Sequence, residues 1–200
     1  MRRAWMQSAG AIALAWALSG GLAIPAGALT LIRAGLDDLV AGNGTVVVAT
    51  VEGAKSYWNR DASFILTDYR LKATQVLKGR VERDFVLTLM GGTAGEFTTL
   101  IPGGADLQTG RSYVLFLRDE ELPGTEKVTT VAEHSQGVFS IEDRDGVEWA
   151  VSQAAGEALI PDEEDPRDGA DVPGGSKGMS LDELTRSIAE LVAQGSGGVK

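Results

Sequence analysis

Several clusters in this 200-residue chain combine residue types from which chemistry could be built. Gly174-Gly175-Ser176-Lys177-Gly178 has the lettering of a nucleophile elbow, in which a serine on a tight strand-to-helix turn attacks a carbonyl. That chemistry needs a strand before the turn and an acid and a histidine after it. Here an acidic, loop-like segment precedes the turn, and the single histidine, His134, lies upstream, so no acyl-transfer triad is expected. His134 beside Glu133 offers two ligand types for a metal, but a site needs three or four. His134 is therefore expected as a solvent-exposed loop residue between two strands.

Asp143, Asp145 and Gly146 overlap part of a calcium loop. With Gly146 in the glycine position, Ile141 would be the first ligand and Ser152 the bidentate acid, and neither can serve. The acids Asp162-Glu163-Glu164-Asp165 read as a solvated linker rather than a built cation site. Gly42 and Gly44 lack a third glycine and precede a strand, so no phosphate loop is expected. Pairs of carboxylates for glycosidase work are plentiful, but sequence does not set their separation. No catalytic residue, cofactor or metal ligand is assigned.

One loop carries a binding expectation instead. Lys55-Ser56-Tyr57-Trp58-Asn59-Arg60-Asp61 is read as the connection between the first two strands, with two adjacent aromatics among polar residues. Tyr, Trp and Arg are favoured interface anchors. Tyr57, Trp58 and Arg60 are therefore the candidate partner-binding loop, against the alternative that one ring closes the end of the fold and the other covers a strand.

Strands must position these residues. Thr45 to Val51 is a β-branched run too continuous for a sheet edge. Phe64 to Leu77 reads as a long strand whose alternation slips near Gln75-Val76, the signature of a bulge. Phe85–Met90, Glu96–Ile101, Arg111–Arg118 and Lys127–Ala132 supply further strands. Gly137–Ile141 and Val147–Val151 flank Asp145-Gly146, a strong hairpin signal. Leu31, Ile32, Leu36, Leu39 and Val40 recur at helical spacing over 29–43. A second amphipathic helix starts at a Ser180–Glu183 capping box, with Leu181, Leu184, Ile188, Leu191 and Val192 on one stripe. Strands at short intervals without intervening helices predict a mainly β fold, an OB-like closed barrel with a short N-terminal helix and a C-terminal helix.

The expected organisation is a signal peptide over 1–28, the barrel with its leading helix over 29–156, an acidic flexible linker over 157–179, a helix over 180–194 and a disordered tail over 195–200. Arg2 and Arg3, the apolar stretch Ala9–Leu18 and Ala26-Gly27-Ala28 form the export signal, with cleavage before Leu29. An uncleaved anchor is the competing reading, since no charge occurs between Arg3 and Arg33, but Gly20-Gly21 and Pro25 weaken such a span. The chain holds 18 basic and 28 acidic side chains, and cleavage removes two Arg and no acid, giving a net charge of −12. That balance excludes nucleic acid as a partner. The absence of cysteine excludes disulfides, thiolate zinc sites and cysteine nucleophiles. A periplasmic or secreted location is expected, with no stable membrane span after cleavage.

Val46–Val51, Tyr57-Trp58, Val76-Leu77-Lys78-Gly79, Pro102-Gly103-Gly104 and Val114–Leu117 together resemble a group of mostly uncharacterised exported bacterial proteins. The resemblance spans about residues 36–152 and implies an OB-type barrel similar in outline to tissue inhibitors of metalloproteinases and netrin-type modules. Those inhibitors chelate zinc through an amino-terminal cysteine. This chain has no cysteine, so none of their functional residues maps onto it. The function expected is a non-catalytic module binding a protein, such as an exported peptidase, or a small ligand. The alternatives are a carboxylate-based hydrolase on a β-barrel and a structural subunit of an envelope complex.

Overall fold

The computed structural model describes residues 31–32, 34–155, 159–160 and 177–196. The expected signal over 1–28, the acidic run Asp162–Asp165 and Gly174–Ser176 lie outside them. In chain order the elements are β1 (Leu31–Ile32), α1 (Leu36–Gly42), β2 (Thr45–Trp58), β3 (Ile65–Lys78), β4 (Asp84–Met90), β5 (Gly92–Ala94) and β6 (Phe97–Thr99). There follow β7 (Ser112–Glu121), β8 (Lys127–Val131), β9 (Val138–Arg144), β10 (Val147–Ser152), β11 (Leu159–Ile160), β12 (Met179–Ser180) and α2 (Leu181–Ser196). The fold is mainly β, with one short helix early and one late, as the residue patterns predict.

One antiparallel sheet runs β12-β10-β9-β7-β2-β3-β4, and β8 also pairs with β7. β7 is shared along its length. Ser112–Leu117 faces β2, Tyr113–Leu115 faces β9, and Leu117–Glu121 faces β8. The pairings make β4 and β8 run in the same direction, and these two strands approach each other. No ladder joins them among the described residues, so the sheet curls without being hydrogen-bonded into a ring.

Alternation along the strands builds two cores. Val47, Ala49 and Val51 of β2, Leu71 of β3, Leu87 and Leu89 of β4, Tyr113, Leu115 and Leu117 of β7, Val131 and Val138 face the inside of the curl. Val46, Val48, Val114, Phe116, Phe139 and Ala150 face outward, where Leu39 and Val40 of α1 and Leu184 and Ile188 of α2 cover them. The continuous apolar run of β2 is thus explained by cover on both faces. Its ladder with β3 shifts register between Val46 and Val47 and between Val48 and Ala49, opposite Ala73 to Lys78. This is where the alternation slips in sequence.

α1 is shorter than the 29–43 expected. Leu31-Ile32 is drawn instead into a parallel pairing with Leu159-Ile160, and the Ala34 amide donates to Gln136 Oε1 at 2.8 Å. At its other end the open carbonyls are capped from outside the helix. Asn43 Nδ2 donates to Leu39 O at 2.7 Å, and Lys78 Nζ, from the end of β3, donates to Val40 O and Asn43 O. Gly79 follows at φ +73°, where a Cβ would stand 2.1 Å from Gly44 O. The Leu77-Lys78-Gly79 sequence is accounted for by helix capping and close backbone approach.

α2 begins with Ser180 Oγ accepting the Glu183 amide at 3.2 Å. It packs on α1, β3 and β10. The stretch between β10 and α2 is held at both ends, by the β1–β11 pair and by β12 on β10. Arg144 Nη1 also donates to Lys177 O at 2.7 Å.

Candidate functional site

Beyond Val51 the cover on β2 changes, and the candidate residues lie there. A register shift between Val51 and Gly53 lets the strand continue to Trp58 rather than breaking into a loop. Tyr57 and Trp58 are therefore strand residues, opposite Leu66 and Ile65 of β3. Successive side chains of a strand point to opposite faces, so the two rings do not share one surface.

Tyr57 lies on the outer face. Its hydroxyl donates to Asp68 Oδ1 at 3.0 Å, and Thr88 Oγ1 donates to the same oxygen at 2.8 Å. Burial, then the hydrogen bond to the Asp68 carboxylate and its charge, push the Tyr57 phenol above its ordinary pKa.

Trp58 lies on the inner face, beyond the end of the inner core. Beside it, Ser56 Oγ and Thr67 Oγ1 are 2.8 Å apart, and Thr67 Oγ1 donates to Gly91 O at 2.7 Å. The β5–β6 hairpin is laid over this pair. Gly92, at φ +118°, sits where a Cβ would be 2.2 Å from Thr67 Oγ1 and 2.5 Å from Ser56 Oγ, so glycine is required for the hairpin to approach. The hairpin carries Phe97 to Trp58, edge to face at 5.6 Å between ring centroids. The cover is incomplete. Trp58 remains 40% exposed, Phe97 62% and the adjacent Leu100 84%.

Two loops frame this end, and Asn59 locks them. Its Oδ1 accepts the amides of Ser63 (2.8 Å) and Phe64 (3.1 Å), while its Nδ2 donates to Ser63 Oγ (3.0 Å) and to Pro123 O (2.9 Å). The buried side chain thus uses all its hydrogen-bonding capacity to bind the β2–β3 loop (59–64) to the β7–β8 loop (122–126). Arg60, the third candidate, is exposed on the first loop, 3.8 Å from Glu126 on the second. Phe97, Leu100 and Asn59 escaped the residue-level reading. Gly91-Gly92 followed by Gly95-Glu96, both ahead of Pro102, is the sequence signal of a small hairpin rather than one strand.

The other sites considered from sequence are placed as follows. His134 is exposed in a 3-10 turn (His134–Gly137), and Glu133 accepts from Arg118 Nη1 at 3.0 Å. Asp145 and Gly146, at φ +55° and +82°, form the two-residue hairpin turn between β9 and β10, and the Gly146 amide donates to Asp143 Oδ1 at 3.2 Å. Among the described residues no group of three or more His, Asp or Glu is arranged to hold a metal, and no helix is long and apolar enough to cross a membrane. No protein-family model matches the chain, and no curated protein matches it.

Proposed function

We propose that the chain is an exported, non-catalytic module that binds another protein through the Trp58–Phe97 end of an OB-type barrel. The strand order supports the architecture. β4-β3-β2-β7-β8, with β4 lying alongside β8, is the order of a five-stranded OB barrel whose closing seam lacks a ladder. In that correspondence the 59–64 and 122–126 loops are the two connections through which OB barrels bind, and Asn59 joins them into one unit. Export rests on residues 2–28, and the likeness to inhibitor and netrin-type modules extends to outline alone.

The observation that carries the binding reading is the Trp58–Phe97 pair, held in place by Gly92 yet left open on one side. Exposed, well-positioned aromatics are typical anchors of protein interfaces. A C-terminal helix with a free apolar face would favour the structural-subunit alternative; α2 is docked on α1, β3 and β10. A photo-crosslinker placed at position 97 of the mature protein in its own envelope tests the proposal. The expected result is one discrete protein adduct from position 97 and none from exposed Glu148 on the β9–β10 hairpin. Equal labelling from both positions, or none from 97, overturns it.

A further inference from the structure

The hairpin that covers Trp58 has an unpaired edge. Among the described residues β6 pairs with β5 alone, in the register Gly92 with Thr99, Thr93 with Thr98 and Ala94 with Phe97. The two-residue turn Gly95-Glu96 makes Ala94 and Phe97 a hydrogen-bonded pair. Alternation then makes Thr93 and Thr98 a non-hydrogen-bonded pair, in which side chains stand closest, and their hydroxyls are 2.9 Å apart. The N–H and C=O of Thr98 consequently point away from β5. Edges of this kind are ordinarily blunted by lysine, proline or a bulge. β6 has none of these, and its first residue Phe97 and the following Leu100 are exposed.

Charge indicates what would pair there. Arg60 on the first framing loop and Lys127 at the start of β8 each lie within 4.0 Å of an acid, Glu126 and Asp119, and Lys55 alternates onto the outer face of β2, away from the hairpin. Asp61 and Glu96 have no cation within that distance among the described residues, and the whole chain carries a net charge of −10. A second copy would bring the same excess of acid to the contact. A basic segment would complement it.

We propose that β6 accepts an extended, basic segment of the partner protein as an added strand, with Phe97, Trp58 and Leu100 as its apolar contacts. This rests on the reading of the Trp58–Phe97 end as the binding surface, and adds its mode: main-chain pairing for affinity and alternate side chains for specificity.

Selection of a displayed library of random nine-residue peptides on the intact protein tests it. Recovered peptides are expected to alternate β-branched or aromatic residues with Lys or Arg. Thr98→Pro removes the outward donor at an edge position where proline is tolerated, and is expected to weaken such a peptide at least tenfold with the melting temperature within a few degrees of the parent. Thr98→Val is expected to bind like the parent. N-methylation of every second amide of the peptide gives the same reading on the unmodified protein, with one phase abolishing binding and the other not. If Phe97→Ala destroys binding while Thr98→Pro and both methylation phases leave it intact, strand addition is overturned and the binding surface stands. If none of these changes matters, both fall. Failure to recover peptides, recovery of acidic or helix-spaced ones, or concentration-dependent dimerisation through this edge also overturns the inference.

Discussion

The two halves of β2 are built from similar strand but carry different cover. Over Val46–Val51 both faces are sealed, inward by the curl and outward by α1 and α2, and every one of these side chains except Thr50 is buried. Over Gly53–Trp58 the outer face is a polar array around Asp68, and the inner face is roofed by a two-stranded hairpin that leaves its aromatics half open. Sealed apolar surface stabilises the fold, whereas apolar surface that is fixed in position but open stabilises little and is available to a partner. The contrast locates stability in the first half and, on the proposed reading, recognition in the second.

Substitutions can break that contrast. The largest effect is expected for Phe116→Ala, which empties the helix-covered core beside Phe139 and should cost about 3–5 kcal/mol in denaturant unfolding. A cost below about 1 kcal/mol would mean the helices do not seal this face. Asn59→Ala should come next, at about 1–3 kcal/mol, because it strips the amides of Ser63 and Phe64 of their acceptor. Hydrogen exchange should show the 59–64 and 122–126 loops opening together, with α1 and α2 unchanged.

An alkaline titration compares the halves by another route. Tyr57, Tyr69 and Tyr113 are the chain's three tyrosines, and burial raises the pKa of each first of all. Charge from Asp68 adds to the rise at Tyr57 and charge from Asp106 at Tyr69. A folded pKa above the unfolded value of about 10 means the contribution is fully present below that pH and is lost as pH climbs through the folded values. Phenolate absorbance should therefore appear late and together with loss of the β-type circular dichroism. An early phenolate signal in an intact fold would show that a ring is less sealed than its position implies. The smallest stability effect is expected for Phe97→Ala, about 1 kcal/mol or less, with partner adduct formation from a crosslinker moved to exposed position 100 lost. A drop of several kcal/mol would make Phe97 part of the core and remove the contrast.

Sequence made some of this legible and hid the rest for physical reasons. The β9–β10 hairpin was readable because Asp145-Gly146 adopts positive φ at both positions, a local requirement with a local signature. The bulged pairing of β2 with β3 was readable from the slip at Gln75-Val76. The extension of β2 to Trp58 was not, since Glu52-Gly53 looks like an end when it is a register shift that only the partner strand reveals. That error placed Tyr57 and Trp58 together in a loop, when they are on opposite faces. β5 was hidden because Gly91-Gly92 reads as a breaker, whereas Gly92 is needed for a close approach to Ser56 and Thr67, residues more than twenty positions away. Whether β4 meets β8 is a still more distant fact.

The tethering of the segment before α2 has a consequence for the wholeness of the chain. Residues 159–160 are paired with β1, residues 179–180 are paired with β10 and Lys177 is held by Arg144 of β9, so one cut within 161–176 would not free α2. Leu184 and Ile188 would keep it seated on the sheet. Cutting would turn the helix from a tethered element into a bimolecular ligand of the rest, trading a local effective concentration for the bulk one. The nicked protein should then elute as one particle, melt at a temperature that rises with its concentration, and be rescued after separation by adding back its own C-terminal fragment.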